Sequence, residues 1–314
     1  VFKKMKDMCE VKFVDMTDSD FYNKILPILP DVQGIIGDGL NIDQNIIDHA
    51  PRLKIVSNIS VGYDNLDLEL LNKRGILATN TPEILTETTA DLMFSLILST
   101  ARKVPFLDRH VKAGHWDGVV NFDLFGTDVH GKILGIIGMG RIGEAIARRG
   151  KFGFNMSILY HNRSRRPEAE KELEATYCTL DELLRDADFV CLMTPLTKET
   201  YHLIGEREFN LMKESAIFIN GSRGDTVDEV ALVQALQRNK IKAAGLDVYR
   251  EEPISKDHPL LEMDHVVTLP HVGSNTIENK LNMDELALKN LLAGLSGEVP
   301  PSLINKEVLK GNFT

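Results

Sequence analysis

The chain has 314 residues, of which 43% are hydrophobic and 26% charged, with a formal net charge of −10. At roughly 150 residues per domain this length fits two domains, and the balance of apolar and charged residues excludes a disordered chain. The sequence pI of about 5.4 describes an acidic surface that repels phosphate backbones and anionic lipid, so neither nucleic acid nor a membrane is expected as a partner. A small anionic ligand would then need its own local positive pocket.

The three cysteines, Cys9, Cys178 and Cys191, show no CxxC or Cys/His spacing. They read as reduced thiols, and no metal site is expected. No apolar run approaches the ~18 residues of a membrane span. The opening Val-Phe-Lys-Lys-Met-Lys-Asp lacks the apolar core of a signal peptide, so a cytoplasmic location is expected. The chain starts without Met, and further residues are expected to precede it.

In chain order, short apolar runs at residues 11–14, 34–36, 54–57 and 76–79 predict buried strands. Residues 41–49 and 66–73 predict helices between them. Such alternation implies a parallel sheet covered on both faces. Thr81-Pro82 interrupts the pattern, because the residue before a proline is pushed out of the helical region, and 80–82 marks a domain boundary. Residues 84–103 predict a long helix, apolar on most sides through Leu92, Met93, Phe94, Leu96, Ile97 and Leu98. A helix of that kind is buried, either inside its own subunit or against a second copy. Trp116 and a loop over 117–130 follow. A second alternating block has strands at 133–137, 156–160, 189–193, 216–220, 243–246 and 266–268. A helix over about 278–295 and a polar Pro/Gly tail end the chain. The two blocks fit two doubly wound α/β domains with a cleft between them.

Gly138-Met139-Gly140-Arg141-Ile142-Gly143 is a GxGxxG between a predicted strand and a helix over 142–151. In that setting Gly138 permits the tight turn, Gly140 lets the backbone approach a pyrophosphate, and Gly143 lets helix and strand pack closely. The helix N-terminus offers N–H groups to the anion. The end of the next strand chooses the cofactor. An NAD site calls for an Asp or Glu about 20 residues on, to hold the ribose 2′-hydroxyl. Here the strand runs into Asn162-Arg163-Ser164-Arg165-Arg166. Arginines there pair with a 2′-phosphate, so NADP(H) is favoured over NAD(H).

Three ionisable groups follow predicted strands: Arg223 in Asn220–Gly224, Glu252 in Asp247–Pro253, and His271 in Pro270–Ser274. Singly, each reads as a solvated arginine, a turn carboxylate or a satisfied histidine. Together they supply what carbonyl reduction needs. A guanidinium holds a carboxylate in a planar two-point contact. An imidazolium donates a proton to the carbonyl oxygen as hydride reaches the carbon. A carboxylate beside it raises its pKa towards the working pH.

With Val61-Gly62-Tyr63-Asp64-Asn65, Gly245-Leu246-Asp247-Val248 and Glu252-Pro253, these motifs run through essentially the whole chain. The chain resembles the D-2-hydroxyacid dehydrogenases. Within them it is most similar to glyoxylate/hydroxypyruvate reductases and bacterial 2-ketogluconate reductases, the latter especially in residues 125–131 and 214–225. The resemblance implies a flavodoxin-like substrate domain over 1–82 and 272–314 and a Rossmann NAD(P)-binding domain over 83–271. It implies that Arg223 binds the substrate carboxylate, with His271 as acid/base and Glu252 as its partner. Val61 and Gly62 would hold the carboxylate through their N–H groups. Gly140, Arg141 and Ile142 would bind the pyrophosphate, and Arg163, Ser164, Arg165 and Arg166 the 2′-phosphate. Thr194 and Asp247 would lie near the adenosine and the nicotinamide. Gly221 would touch the cofactor through its backbone, and Gly273 and Ser274 would line the nicotinamide. A homodimer is expected from the resemblance and from the apolar helix. Family members begin with an extra strand and helix, and this chain starts inside or after that strand.

The expected function is reduction of glyoxylate, hydroxypyruvate or 2-ketogluconate to the D-2-hydroxy acid. The alternatives are an NAD-dependent phosphoglycerate dehydrogenase and a cofactor-sensing protein like the C-terminal-binding corepressors. The missing acid after the second strand argues against both. Side-chain specificity is not readable, since one methylene changes selectivity by only about 1–3 kcal/mol. Trp116, residues 38–40 and residues 58–60 are the candidate pocket lining.

Overall fold

The computed structural model describes residues 1–309, so the end of the expected segment 272–314 lies outside the described residues. The chain forms two compact units. One comprises Val1–Leu85 and the segment from Asn275; the other is Thr86–Ser274.

The first unit begins with helices α1 (Phe2–Met8) and α2 (Phe21–Ile25). The strand expected at 11–14 is absent: these residues are irregular, and Phe13 is 77% exposed. Asp15 explains the departure. Its carboxylate accepts the Thr17 N–H and hydroxyl, a local turn that competes with extended pairing. Strands β1 (Gly34–Gly37), β2 (Ile55–Asn58) and β3 (Leu77–Thr79) make a parallel sheet in that order. Ile35 pairs with Val56, and Val56 with Ala78. Helices α3 (Gln44–His49) and α4 (Leu68–Arg74) connect them. Asp43 and Asp67 cap their first turns by accepting the Ile46 and Leu70 amides, and α4 ends on Gly75 at φ 68°, a left-handed stop that suits glycine. Ile42, Ile46, Ile47 and Leu71 bury one face of this layer.

The second unit starts with α5 (Thr86–Ala101), two residues shorter at each end than expected, and α6 (Val104–Lys112). Lys103 at φ 53° separates them. Helix α6 was not expected: it carries Val104, Phe106, Leu107 and Val111, but none of its residues is buried. Among the described residues a seven-stranded parallel sheet follows, in the order β10-β9-β8-β7-β4-β5-β6. The strands are β4 (Ile133–Ile137), β5 (Ser157–His161), β6 (Thr176–Tyr177), β7 (Phe189–Leu192), β8 (Ile217–Asn220), β9 (Ala243–Leu246) and β10 (Val266–Thr268). The two-residue β6 is too short to show a sequence pattern. Helices α7 (Arg141–Phe154), α8 (Pro167–Leu173), α9 (Leu180–Asp186), α10 (Glu206–Leu211) and α11 (Glu229–Gln237) alternate with the strands. The order reverses between β4 and β7, the switch point at which such sheets bind ligands. Met93, Leu96 and Ile97 of α5 lie in one core with Ile217 and Ile219 of β8. The apolar helix is thus covered by its own unit, and its apolarity no longer argues for a second copy.

The chain returns to the first unit through α12 (Ile277–Ser296). A Cβ at Gly294 would lie 2.5 Å from Ile55 Cδ1, so glycine lets α12 press onto β2. The last described segment is tied down by Asn305, which is 1% exposed. Its Oδ1 accepts the Ala78 amide at 2.8 Å, and its Nδ2 donates to Ile76 O and Asn72 Oδ1, each at 2.9 Å. An Asn305→Ala change leaves those buried groups unpaired, at a cost of about 1–3 kcal/mol. Thermal denaturation should show a lower Tm, and an unchanged Tm would remove this anchor from the account.

Candidate active site

The carboxyl ends of β8, β9 and β10 are neighbours in the parallel sheet. The three loops that leave them therefore meet at one edge, although Arg223, Glu252 and His271 are far apart in sequence. The first loop is braced from below. Asn220 Oδ1 accepts the Ser222 amide (3.0 Å) and hydroxyl (2.8 Å). Asn220 Nδ2 and Thr226 Oγ1 both donate to the Arg223 carbonyl, at 3.2 and 2.6 Å. The Arg223 guanidinium donates from Nη1 to Ser222 O at 2.9 Å. Gly224 has a steric reason, because a Cβ there would fall 1.9 Å from the Tyr249 carbonyl group. Gly221 has one too: a Cβ would meet Met93 Sδ at 2.0 Å.

His271 sits at φ 51°, and its Nδ1 lies 2.6 Å from Glu252 Oε2. The other carboxylate oxygen of Glu252 accepts the Tyr249 amide at 2.9 Å. The carboxylate can only accept, so Nδ1 carries the proton and Nε2 is the atom left for chemistry. The hydrogen bond to Glu252 outweighs burial and the opposing Arg223 charge, and raises the His271 pKa above that of an ordinary imidazole. For Glu252, burial pushes the pKa up. The hydrogen bonds from His271 and Tyr249 and the nearby positive charges overcome it and hold the carboxyl low. Asp247 is buried and accepts the amides of Val272 (2.9 Å) and Gly273 (2.8 Å), which fixes the backbone just beyond His271. Burial raises its pKa in spite of those two donors. Ser274 closes this unit.

The glycine turn follows β4. Gly138 is at φ 99°, and a Cβ on it would strike the Met193 carbonyl carbon at 2.7 Å. A Cβ on Gly143 would lie 2.4 Å from Gly138 O, whereas one on Gly140 would enter open space. Gly140 is the N-cap of α7, so the first-turn amides of Arg141, Ile142 and Gly143 have no helical acceptor. The buried hydroxyl of Thr194, at the end of β7, has no protein partner among the described residues. An open glycine, a helix N-terminus and an orphaned hydroxyl fit a dinucleotide at this switch point.

Arg163, Ser164, Arg165 and Arg166 are all exposed beyond β5, but they are not equivalent. Arg165 is engaged in two-point pairing with Glu170, Nε to Oε1 at 3.0 Å and Nη2 to Oε2 at 2.7 Å. Arg166 stands 3.7 Å from Glu144. Sequence reading missed Asn162, which exchanges two hydrogen bonds with Met139 of the glycine turn, at 2.7 and 3.1 Å. It occupies the place searched for an acid, and its presence there was the available signal.

In the first unit, the carbonyls of Val61 and Gly62 accept the side-chain amides of Asn80 and Asn58, each at 2.9 Å. Their own N–H groups find no protein acceptor among the described residues. Asn58 also bonds Ser60 and Asn65, which fixes the 58–65 loop. Leu40 is buried below that loop and accepts from Asn65 Nδ2. Trp116 belongs to the other unit and is 61% exposed. Among the described residues no helix is long and apolar enough to cross a membrane.

The fold and this constellation define an NAD(P)-dependent oxidoreductase. Residues 94–273 match the NAD-binding domain of the D-isomer specific 2-hydroxyacid dehydrogenases, and the chain belongs to that family. It is 51% identical over 278 residues to glyoxylate/hydroxypyruvate reductase B of Escherichia fergusonii, across 88% of this chain and 86% of that protein. Among solved structures it is similar to an NADPH-dependent glyoxylate/hydroxypyruvate reductase of Sinorhizobium meliloti in complex with NADP and malonate. That similarity has a TM-score of 0.88 at 34% identity and covers 98% of this chain and 93% of the other. A protein from Thermus thermophilus gives a TM-score of 0.87 at 38% identity, with 96% of each chain covered.

The His271–Glu252 pair makes a prediction that needs no substrate. Glu252→Gln removes the charge that favours the imidazolium, so His271 should titrate at lower pH in the variant. The imidazolium is present below the raised pKa and lost as pH rises through it, so the variant loses it earlier. Ring NMR shifts of His271 against pH read this directly, and coincident curves would contradict the pairing.

Proposed function

We propose that this protein uses NADPH to reduce a small 2-keto acid to the D-2-hydroxy acid, with glyoxylate, hydroxypyruvate and 2-ketogluconate as the candidate substrates. The observation that carries the proposal is the 2.6 Å contact between His271 Nδ1 and Glu252 Oε2, beside a strand-end loop presenting Arg223. The bound nicotinamide supplies the hydride. Arg223 holds the substrate carboxylate and orients the carbonyl. His271 gives the proton on Nε2 to the carbonyl oxygen, and Glu252 stabilises its charged form before transfer. The amides of Val61 and Gly62 are further donors to the carboxylate.

In this reading the cofactor part expected over 83–271 extends to Ser274, as the second unit does, and 1–82 with the segment from Asn275 serves the substrate. Gly138, Gly140, Arg141, Ile142 and Gly143 receive the pyrophosphate. Thr194 serves the adenosine side, and Gly221, Asp247, Gly273 and Ser274 serve the nicotinamide side. Arg163, Ser164 and Arg166 take the 2′-phosphate, and Arg165 joins them only by leaving Glu170. The absence of an acid after β5 and the NADP complex of the S. meliloti relative support NADP(H) over NAD(H). A homodimer in the cytoplasm completes the proposal. Its surface is the exposed apolar set Val104, Val111, Trp116, Val119, Phe122 and Phe125, and a solution mass of twice the 35.1 kDa chain is expected.

The test is cofactor oxidation by the purified protein with each keto acid and with NADPH or NADH. His271→Ala and Arg223→Ala should each lower the rate by about 10²–10⁴-fold. The double variant Arg163→Ser, Arg166→Ser should raise the KM for NADPH by about tenfold to a hundredfold, the equivalent of losing charged hydrogen bonds, and leave that for NADH nearly unchanged. Equal use of NADH and NADPH by the parent protein would overturn the cofactor assignment.

A further inference from the structure

Tyr249 lies two residues beyond Asp247, is 6% exposed, and touches all three loops of the constellation. Its amide donates to Glu252 Oε1 at 2.9 Å. Its hydroxyl lies 2.9 Å from Leu269 O and 3.3 Å from Leu246 O. The single phenolic proton goes to Leu269 O, the shorter contact, while Leu246 O is already supplied by the Leu269 amide at 2.8 Å. The Tyr249 carbonyl fills the space that a Cβ on Gly224 would need. One residue therefore meets the neighbour of Arg223, the carboxylate of Glu252, and the carbonyl two residues before His271.

We propose that Tyr249 is a positioning residue that sets the spacing between His271 and Glu252 through its hydroxyl bond to the Leu269 carbonyl. The segment from Leu269 to His271 leaves β10 through Pro270, which has no N–H to pair with the sheet. The Leu269 carbonyl thus anchors the chain two residues before His271. Asp247 holds the chain just after His271, and Tyr249 holds it just before, so the ring is fixed from both sides. The groups facing His271 are Glu252, Arg223 and Asp247; Glu252 accepts the Tyr249 amide, and Gly224, next to Arg223, lies against the Tyr249 carbonyl. The proposal rests on the reading of His271 as the proton donor, but half of its test does not require turnover.

Tyr249→Phe keeps the ring that fills the core and removes only the hydroxyl. Its His271 titration, followed by NMR, should move to lower pH as the bond to Glu252 loosens. With a keto acid that the parent reduces, kcat should fall by about tenfold to a hundredfold with a much smaller change in KM. Asn305→Ala is the control for lost stability alone: it lowers Tm without moving the His271 titration. A Tyr249→Phe protein that loses Tm but keeps the parent His271 titration overturns the proposal, because the hydroxyl is then only structural. A shifted titration in a protein that turns over no keto acid supports the positioning role and instead overturns the proposed reaction.

Discussion

Three parallel strands ending side by side are the constraint on which the candidate site depends. A parallel ladder aligns the carboxyl ends of β8, β9 and β10, so residues spread over about fifty positions of sequence converge on one edge. No single element could do this, since a helix or hairpin presents only near neighbours in sequence. Once the three loops leave the same edge, hydrogen bonds between their side chains and backbone do the local work. The Asn220 and Thr226 side chains grip the Arg223 carbonyl. The Tyr249 amide grips Glu252. Asp247 grips the two amides that follow His271.

Electrostatics and packing act together at this edge. A partly desolvated carboxylate would ordinarily drift towards its neutral form. Glu252 stays ionised because His271, the Tyr249 amide and Arg223 all favour its charge, and the ionised carboxylate in turn favours the imidazolium. Asp247 has two amide donors but no facing cation as close, and burial prevails there. Two carboxylates a few residues apart thus have opposite pKa shifts, and only Glu252 is paired with the histidine.

The glycines teach a related lesson. Gly140 faces open space at the start of α7, as a ligand cradle requires. Gly221 is excluded from having a side chain by Met93, and Gly224 by the Tyr249 peptide. The same residue type answers to a ligand at one place and to a neighbouring element at another, and a motif alone does not distinguish them. The arginine cluster after β5 is similar. Its charge is plain in the sequence, but the pairing of Arg165 with Glu170 depends on how the start of α8 is placed.

The sequence by itself determined the alternation of strand and helix, the glycine turn, the missing acid after β5 and the three strand-end residues. Each of these is carried by a local pattern, a period or a short spacing that survives without knowledge of the partner. It failed where pairing is decided by something distant or too small to show a pattern. Residues 11–14 have strand-forming side chains, yet the Asp15 turn diverts them. The apolar helix over 86–101 offered two partners, and only the packing against β8 and β9 chose its own unit. The sequence could group His271, Glu252 and Arg223 by their place after strands, but only the tertiary structure decided their contacts, the His271–Glu252 bond and the Tyr249 links to Glu252 and Leu269, because those bonds cross between strands and strand order is not a local property of sequence.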